Sequence, residues 1–312
     1  HTLLDVLDET CTPMGGRLLR DWILRPLCKT DAVRERLDAV DQLRSDGLRL
    51  QDVRDQLKDV RDLERLIARL NGGGGNGRDV RAVAQSLARL PAVREALKDA
   101  SGLAARLRDR LHPEEDLAAL IDRALVDEPP IPIKEGGLIR EGYHEELDSL
   151  RAAAHDGRSW LARFQTEEQE QTGIKSLKVR HNKVFGYYIE VTKANLDSVP
   201  DHYVRKQTLV NSERFITDDL KQMENRILGA QDRAMDLEYQ LFCDLRDKVI
   251  EATPRIQESA AALAALDVLV GFADKAARGR YVRPVIRDDD RLVIRGGRHP
   301  VIEQLPDAER FV

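Results

Sequence analysis

The sequence predicts a mainly α protein: a helical core with a long antiparallel helical arm that carries a small antiparallel β module at its tip. Three observations predict it. Apolar residues recur at spacings of three and four through most of the chain, the period of a helix with one buried face. One stretch, Thr172 to Thr217, switches to alternation. Charged residues make up 34% of the 312 and aromatics only 4%, which suits long exposed helices better than a compact aromatic core.

The β module comes first because the helices on either side are organised around it. Phe185, Tyr187, Ile189 and Val191 fall on one face of a strand, with Tyr188, Glu190 and Thr192 on the other. Charge switches with the pattern. The stretch carries eight basic residues against four acidic ones, hence +4, while the rest of the chain carries −9 of the overall −5. A local cluster of positive charge is the footprint of a polyanion binder, and the acidic total excludes a uniformly basic one.

From the start, Leu3, Leu4, Val6 and Leu7 form an apolar turn, broken by Pro13 with Gly15 and Gly16. Leu18, Leu19, Trp22 and Ile23 then mark one face of a helix that Pro26 stops. The Thr12-to-Arg17 stretch reads as a corner between helices, because its glycine pair lacks phosphate-loop spacing. Asp31 to Leu70 reads as two helices split near Asp46–Gly47, with stripes Val33, Leu37, Val40, Leu43 and Val53, Leu57, Val60, Leu63, Leu66, Ile67, Leu70. Asn71 to Gly77 is a flexible hinge or loop, since consecutive glycines lose too much entropy inside a helix. Short helices follow to Val126, broken at Pro91, Gly102 and Pro113. The prolines and paired glycines of Asp127 to Glu141 demand an extended segment.

His144 to Gln171 is a long helix with the stripe Leu147, Leu150, Ala154, Leu161 and Phe164. Its His144-Glu145-Glu146 opening lacks a histidine at position 148, so no zinc motif forms. After the β module, Asp218 and Asp219 open a helix to about Ala252, acidic residues suiting its dipole. Its seam is Leu220, Met223, Ile227, Ala230, Ala234, Leu237, Leu241, Leu245 and Val249. Two helices of this length flanking one module are simplest as an antiparallel pair. Gln257 to Ala277 is more apolar and should be buried, and Tyr281 to Gln304 reads as two short strands around an Asp-rich turn.

Residues Leu177 to Asn195, followed by Arg205 to Ile216, resemble the clamp domain of the MutS family of DNA mismatch-recognition proteins. Leu3-Leu4-Asp5, Thr12-Pro13-Met14-Gly15 and the Trp22 helix resemble the opening of that family's core domain. Gly136 to Tyr143 resembles the lead into its lever arm, and Gly297-Arg298-His299-Pro300 the entry to its ATPase domain. The glycines at 72–75 depart from the pattern, within a loop. The resemblance implies five parts: a helical core over 1–143, an outgoing lever helix over 144–171, a DNA-binding β clamp over 172–217, a returning lever helix and core over 218–277, and the start of an ATPase domain over 278–312.

It also implies backbone binding of double-stranded DNA by the clamp, with Arg180, Asn182, Lys183, Lys206 and Asn211 as candidate contacts. Arg180 stands where the family often has a small residue, so it either adds a phosphate contact or points away. Phe311 corresponds to a family phenylalanine that lies against adenine. The Gly-Lys-Ser phosphate loop is absent, so this chain is expected to bind no cofactor and to hydrolyse nothing, ATP and Mg belonging to the full-length protein. The full-length protein is expected to be a homodimer that hands on to a partner of the MutL family. The rival reading is a helical scaffold with a protein-binding β tip. Three scattered cysteines suggest a reducing compartment, so the expected location is the cytoplasm, at the nucleoid. No apolar run approaches the roughly 18 residues of a bilayer span, and the opening on His1 is expected of a fragment.

Overall fold

A computed structural model describes residues 2–182 and 186–304, so Lys183, Phe185 and Phe311 lie outside the described residues. The chain divides into two compact units, His1–Ile131 with Asp244–Val312 and Pro132–Cys243.

The first unit is helical. It contains α1 (Leu3–Leu7), α2 (Pro13–Leu24), α3 (Thr30–Ser45), α4 (Gly47–Lys58), α5 (Leu63–Asn71), α6 (Gly77–Leu87), α7 (Leu90–Ala96), α8 (Gly102–Asp109) and α9 (Glu115–Ala124). The predicted stripe from Val53 to Leu70 is buried at all seven positions. The glycine run is a loop, closed as a turn. Asn76 caps α6 and Asp79 returns the bond to the Asn76 amide, a reciprocal box. Gly75 packs on Leu70 so closely that a Cβ would meet its Cδ2 at 2.3 Å.

The axis of this unit is α12 (Thr253–Gly279), which packs on α2, α3, α4, α5 and α8. It is buried, as its apolar pattern predicts. An 18-residue window in α12 has mean hydropathy 1.5, long and apolar enough by length and composition to cross a bilayer, but 72% of that window is buried inside the protein. Asp267, fully buried in α12, accepts from the Cys11 and Thr12 amides at 2.8 Å and from Thr12 Oγ1 at 2.7 Å. Burial pushes its carboxyl upward, and these donors pull the other way. The bonds fix the corner before α2, where Thr12 Oγ1 in turn accepts from the Gly15 amide and Pro13 fills the first helical turn. A Cβ on Gly15 would collide with the Asp267 carboxylate.

The two strands expected between Tyr281 and Gln304 are not formed; the described residues there are irregular, with one 3₁₀ turn at Ile302–Gln304. A strand needs an edge to pair with. Val282, Val285, Leu292, Val293 and Ile294 are instead 70–87% exposed, with no described strand beside them.

In the second unit, α10 (Glu145–Thr172) and α11 (Asp218–Glu251) flank a four-stranded antiparallel sheet of β1 (Lys178–Asn182), β2 (Gly186–Thr192), β3 (Val204–Thr208) and β4 (Ser212–Ile216), in the order β1-β2-β4-β3. The α11 helix continues past Cys243 into the first unit's share of the chain. The two helices run antiparallel, because later residues of α10 meet earlier ones of α11. Arg151 pairs with Glu238, Gly157 faces Ile227, and Phe164 shares a core with Leu220. At Gly157 there is no room for a side chain, because any Cβ would sit 2.3 Å from Ile227 Cγ1. The seam of α11 drifts from the predicted line: Glu238 and Phe242 are buried, while Leu237 and Leu241 are half-buried.

Candidate nucleic-acid interface

The sheet register assigns every side chain in the β module to one of two faces, because directly paired residues share a face. Ile189 pairs with Val179 and Phe215, and these point inward. With Leu161 and Phe164 of α10, Leu220 and Ile227 of α11, and Leu177, Val191 and Tyr203, they form the module's core. Tyr203 donates to the buried Glu168 carboxylate of α10. Burial, and then that bond, hold its phenol far above the usual range.

The opposite face bears the chemistry. Glu190 on the central strand β2 pairs with Lys178 of β1 and with Arg214 of β4, and Arg214 pairs in turn with Gln207 of β3. Arg214 lies 4.4 Å over the Tyr188 ring and donates to Gln207 Oε1 at 2.7 Å. Tyr188 is therefore buried although it sits on the outward face that alternation assigns it. Arg180 lies beside it, 51% exposed, its Nε 3.9 Å from Glu190.

The predicted contacts do not gather at one point. Asn182 pairs with Gly186 at the β1–β2 hairpin, and that end lies back along the helices, where Val179 donates to Gln165 and Tyr187 to Glu224. Asn211 lies in the β3–β4 hairpin at the other end, beside Thr192. The seven residues of β2 separate the ends by roughly 20 Å. Asn182 marks the first end and Asn211 the second; Arg180, opposite Tyr188, and Lys206, between the partners of Phe215 and Arg214, lie nearer the middle of the strands.

This second end is held together by polar bonds that the sequence did not announce. Asn195 donates to Ser176 at 2.9 Å and to Thr192 at 3.1 Å, and the Lys193 amide donates to the Asn211 carbonyl at 3.1 Å. Three loops are thereby joined, and they present Lys175 and Lys193, while Lys206 lies on the edge strand β3. All three lysines are exposed, and none forms an ion pair with a described carboxylate. Arg205, by contrast, is spent on the buried Glu213 at 3.3 Å. Lys175 and Lys193 were not among the candidates. Their charge was legible, but the bonds that tie their loops together depend on the fold. Among the described residues, no group of three or more His, Cys, Asp or Glu side chains could hold a metal ion.

Comparison with known proteins places this architecture. The family described as MutS domain III matches residues 1–273. The DNA mismatch repair protein MutS of Acetivibrio thermocellus is 46% identical over 312 residues, all of this chain and 36% of that protein. Those of Halothermothrix orenii and Natronomonas pharaonis are 49% and 50% identical, each over 97% of this chain and 34% and 36% of their own lengths. The chain belongs to the MutS family of DNA mismatch repair proteins. It spans about a third of the length of these relatives.

Proposed function

We propose that residues 132–243 are the lever and clamp of a mismatch repair protein and that the β module grips the backbone of double-stranded DNA. The observation that carries this is the set of exposed lysines clear of described carboxylates: Lys175 and Lys193 on loops tied together by Asn195, and Lys206 on the edge strand β3. A lysine held in place without a carboxylate partner neutralises a phosphate and releases its counterion, whatever the base sequence. Asn182 at the other end of the sheet, with Arg180 two residues before it on β1, extends the same footprint, and Lys183 follows them in the sequence. The roughly 20 Å between the two ends matches about six phosphates at 3.4 Å per nucleotide of one strand. Asn182 and Asn211 would set register rather than read bases.

The helices α10 and α11 would carry a nucleotide-dependent movement to the clamp. In the full-length protein the partner ATPase domain would bind ATP and Mg, two copies would close around DNA at the nucleoid, and a MutL-family protein would act downstream. This chain lacks the Gly-Lys-Ser loop, so its own role is binding rather than hydrolysis. Phe311 would lie against adenine in that domain.

Charge reversal tests the footprint. Lys193→Glu and Lys206→Glu are each expected to weaken duplex binding equally for all sequences and to lower the slope of log K against log salt by about 0.9. Unchanged affinity and slope in both would remove this end of the sheet from the interface. A protein partner that survives nuclease treatment, with no affinity for DNA at low salt, would favour a helical scaffold instead; the 86% exposed Val210 at the hairpin tip is the feature that reading would use.

A further inference from the structure

We infer that Glu190 is a built-in attenuator of the clamp's grip on DNA, a positioning residue that holds Arg180 back from phosphate. The inference rests on the backbone-binding reading above and adds a control on its strength. Glu190 is the lone carboxylate among the described outward positions of the sheet, and cations surround it. Lys178 is directly opposite on β1, Arg214 directly opposite on β4, and Arg180 is diagonal on β1. The other outward groups near it, Asn182, Thr192, Gln207 and Ser212, are uncharged.

The two arginines are held differently. Arg214 is fixed by its bond to Gln207 and its stack on Tyr188, with a side chain only 20% exposed. Its Nε lies 3.8 Å from Glu190, so the carboxylate adds charge there rather than a hydrogen bond. Arg180 is half exposed, and Glu190 at 3.9 Å is its only ion-pair partner among the described residues. So loose and exposed a pair is easily exchanged for a phosphate. The Glu190 charge stays in place when that happens. A phosphate on Arg180 would then lie about 6 Å from the carboxylate, a repulsion worth about threefold in affinity in water. A neutral residue at this position would serve a clamp built for maximal grip. A carboxylate between three cations instead limits the grip while keeping the cations aligned.

The test is fluorescence anisotropy of the full chain with a labelled duplex across a salt series. It compares wild type, Glu190→Gln, Arg180→Gln and the double variant, with elution from immobilised heparin as a second readout. Glu190→Gln is expected to bind about threefold more tightly, with a steeper salt slope. Arg180→Gln is expected to cost more in the Glu190→Gln background than in wild type, a coupling that a merely structural role would not produce. Duplex binding by wild type with no gain in Glu190→Gln, or equal Arg180→Gln costs in both backgrounds, overturns the inference and leaves the clamp reading standing. No duplex binding by wild type, with later heparin elution of Glu190→Gln, sinks the DNA reading but supports attenuation of polyanion binding. No shift on either support overturns the inference.

Discussion

Replacing Asp267 with alanine is expected to destabilise the helical unit by about 3 to 5 kcal/mol, seen as a lower urea midpoint. The carboxylate is fully buried and meets three donors, the Cys11 and Thr12 amides and the Thr12 hydroxyl, all at 2.7–2.8 Å. Alanine leaves those donors in a protein interior with no acceptor, and each stranded group costs more than its bond contributed. It also opens a void beside Gly15, whose missing Cβ made room for the carboxylate. Thr12 would keep its cap on the Gly15 amide but lose the group that orients its hydroxyl. Asparagine preserves the size and one acceptor oxygen, so Asp267→Asn should fall between the two. A midpoint for Asp267→Ala indistinguishable from wild type would show that the corner before α2 is held by apolar packing alone.

Glu238 has the same importance for the second unit. It is 2% exposed on α11 and accepts from the Leu138 and Ile139 amides, the latter at 2.7 Å, while Arg151 of α10 pairs with it at 2.9 Å. Arg151 also donates to the Ile139 carbonyl at 2.9 Å. One carboxylate therefore joins α10, α11 and the extended segment that enters α10. Glu238→Ala is expected to cost about 3 to 5 kcal/mol, because it strands two buried amides and half of a largely buried ion pair. Hydrogen exchange gives a local readout: the Leu138 and Ile139 amides should lose protection before the core of the sheet does. Slow exchange at both amides in the alanine variant would mean that other groups hold this segment.

Much of this fold was legible because its elements are long and strongly periodic. The Val53-to-Leu70 stripe, the buried α12 and the limits of α10 follow from spacing alone. Most of the misses depend on a contact far away in sequence. Asp267 and Glu238 look like ordinary charges in a highly charged chain until the amides they accept from, more than 250 and about 100 residues away, come into view. Phe242 replaced Leu241 in the seam because a straight helix drifts against a seven-residue repeat. The Tyr281-to-Gln304 segment has the alternation of a strand, but alternation cannot supply the neighbour that a strand pairs with. At the interface, the basic character of residues 172–217 was plain. Which polar groups stand together was not, because the register puts Asn182 and Asn211 at opposite ends of the sheet and ties the loops of Lys175 and Lys193 together through Asn195.

The central claim is that this part of a MutS-family protein holds DNA by its backbone. Its most direct test is the affinity of the whole chain for matched and mismatched duplexes of equal length across a salt series. The account predicts weak binding, equal for the two duplexes, with log K falling steeply and linearly against log salt. A marked preference for the mismatch, or an affinity insensitive to salt, would contradict it: the first would place base reading in this chain, and the second would show that the lysines of the β module are not at the interface.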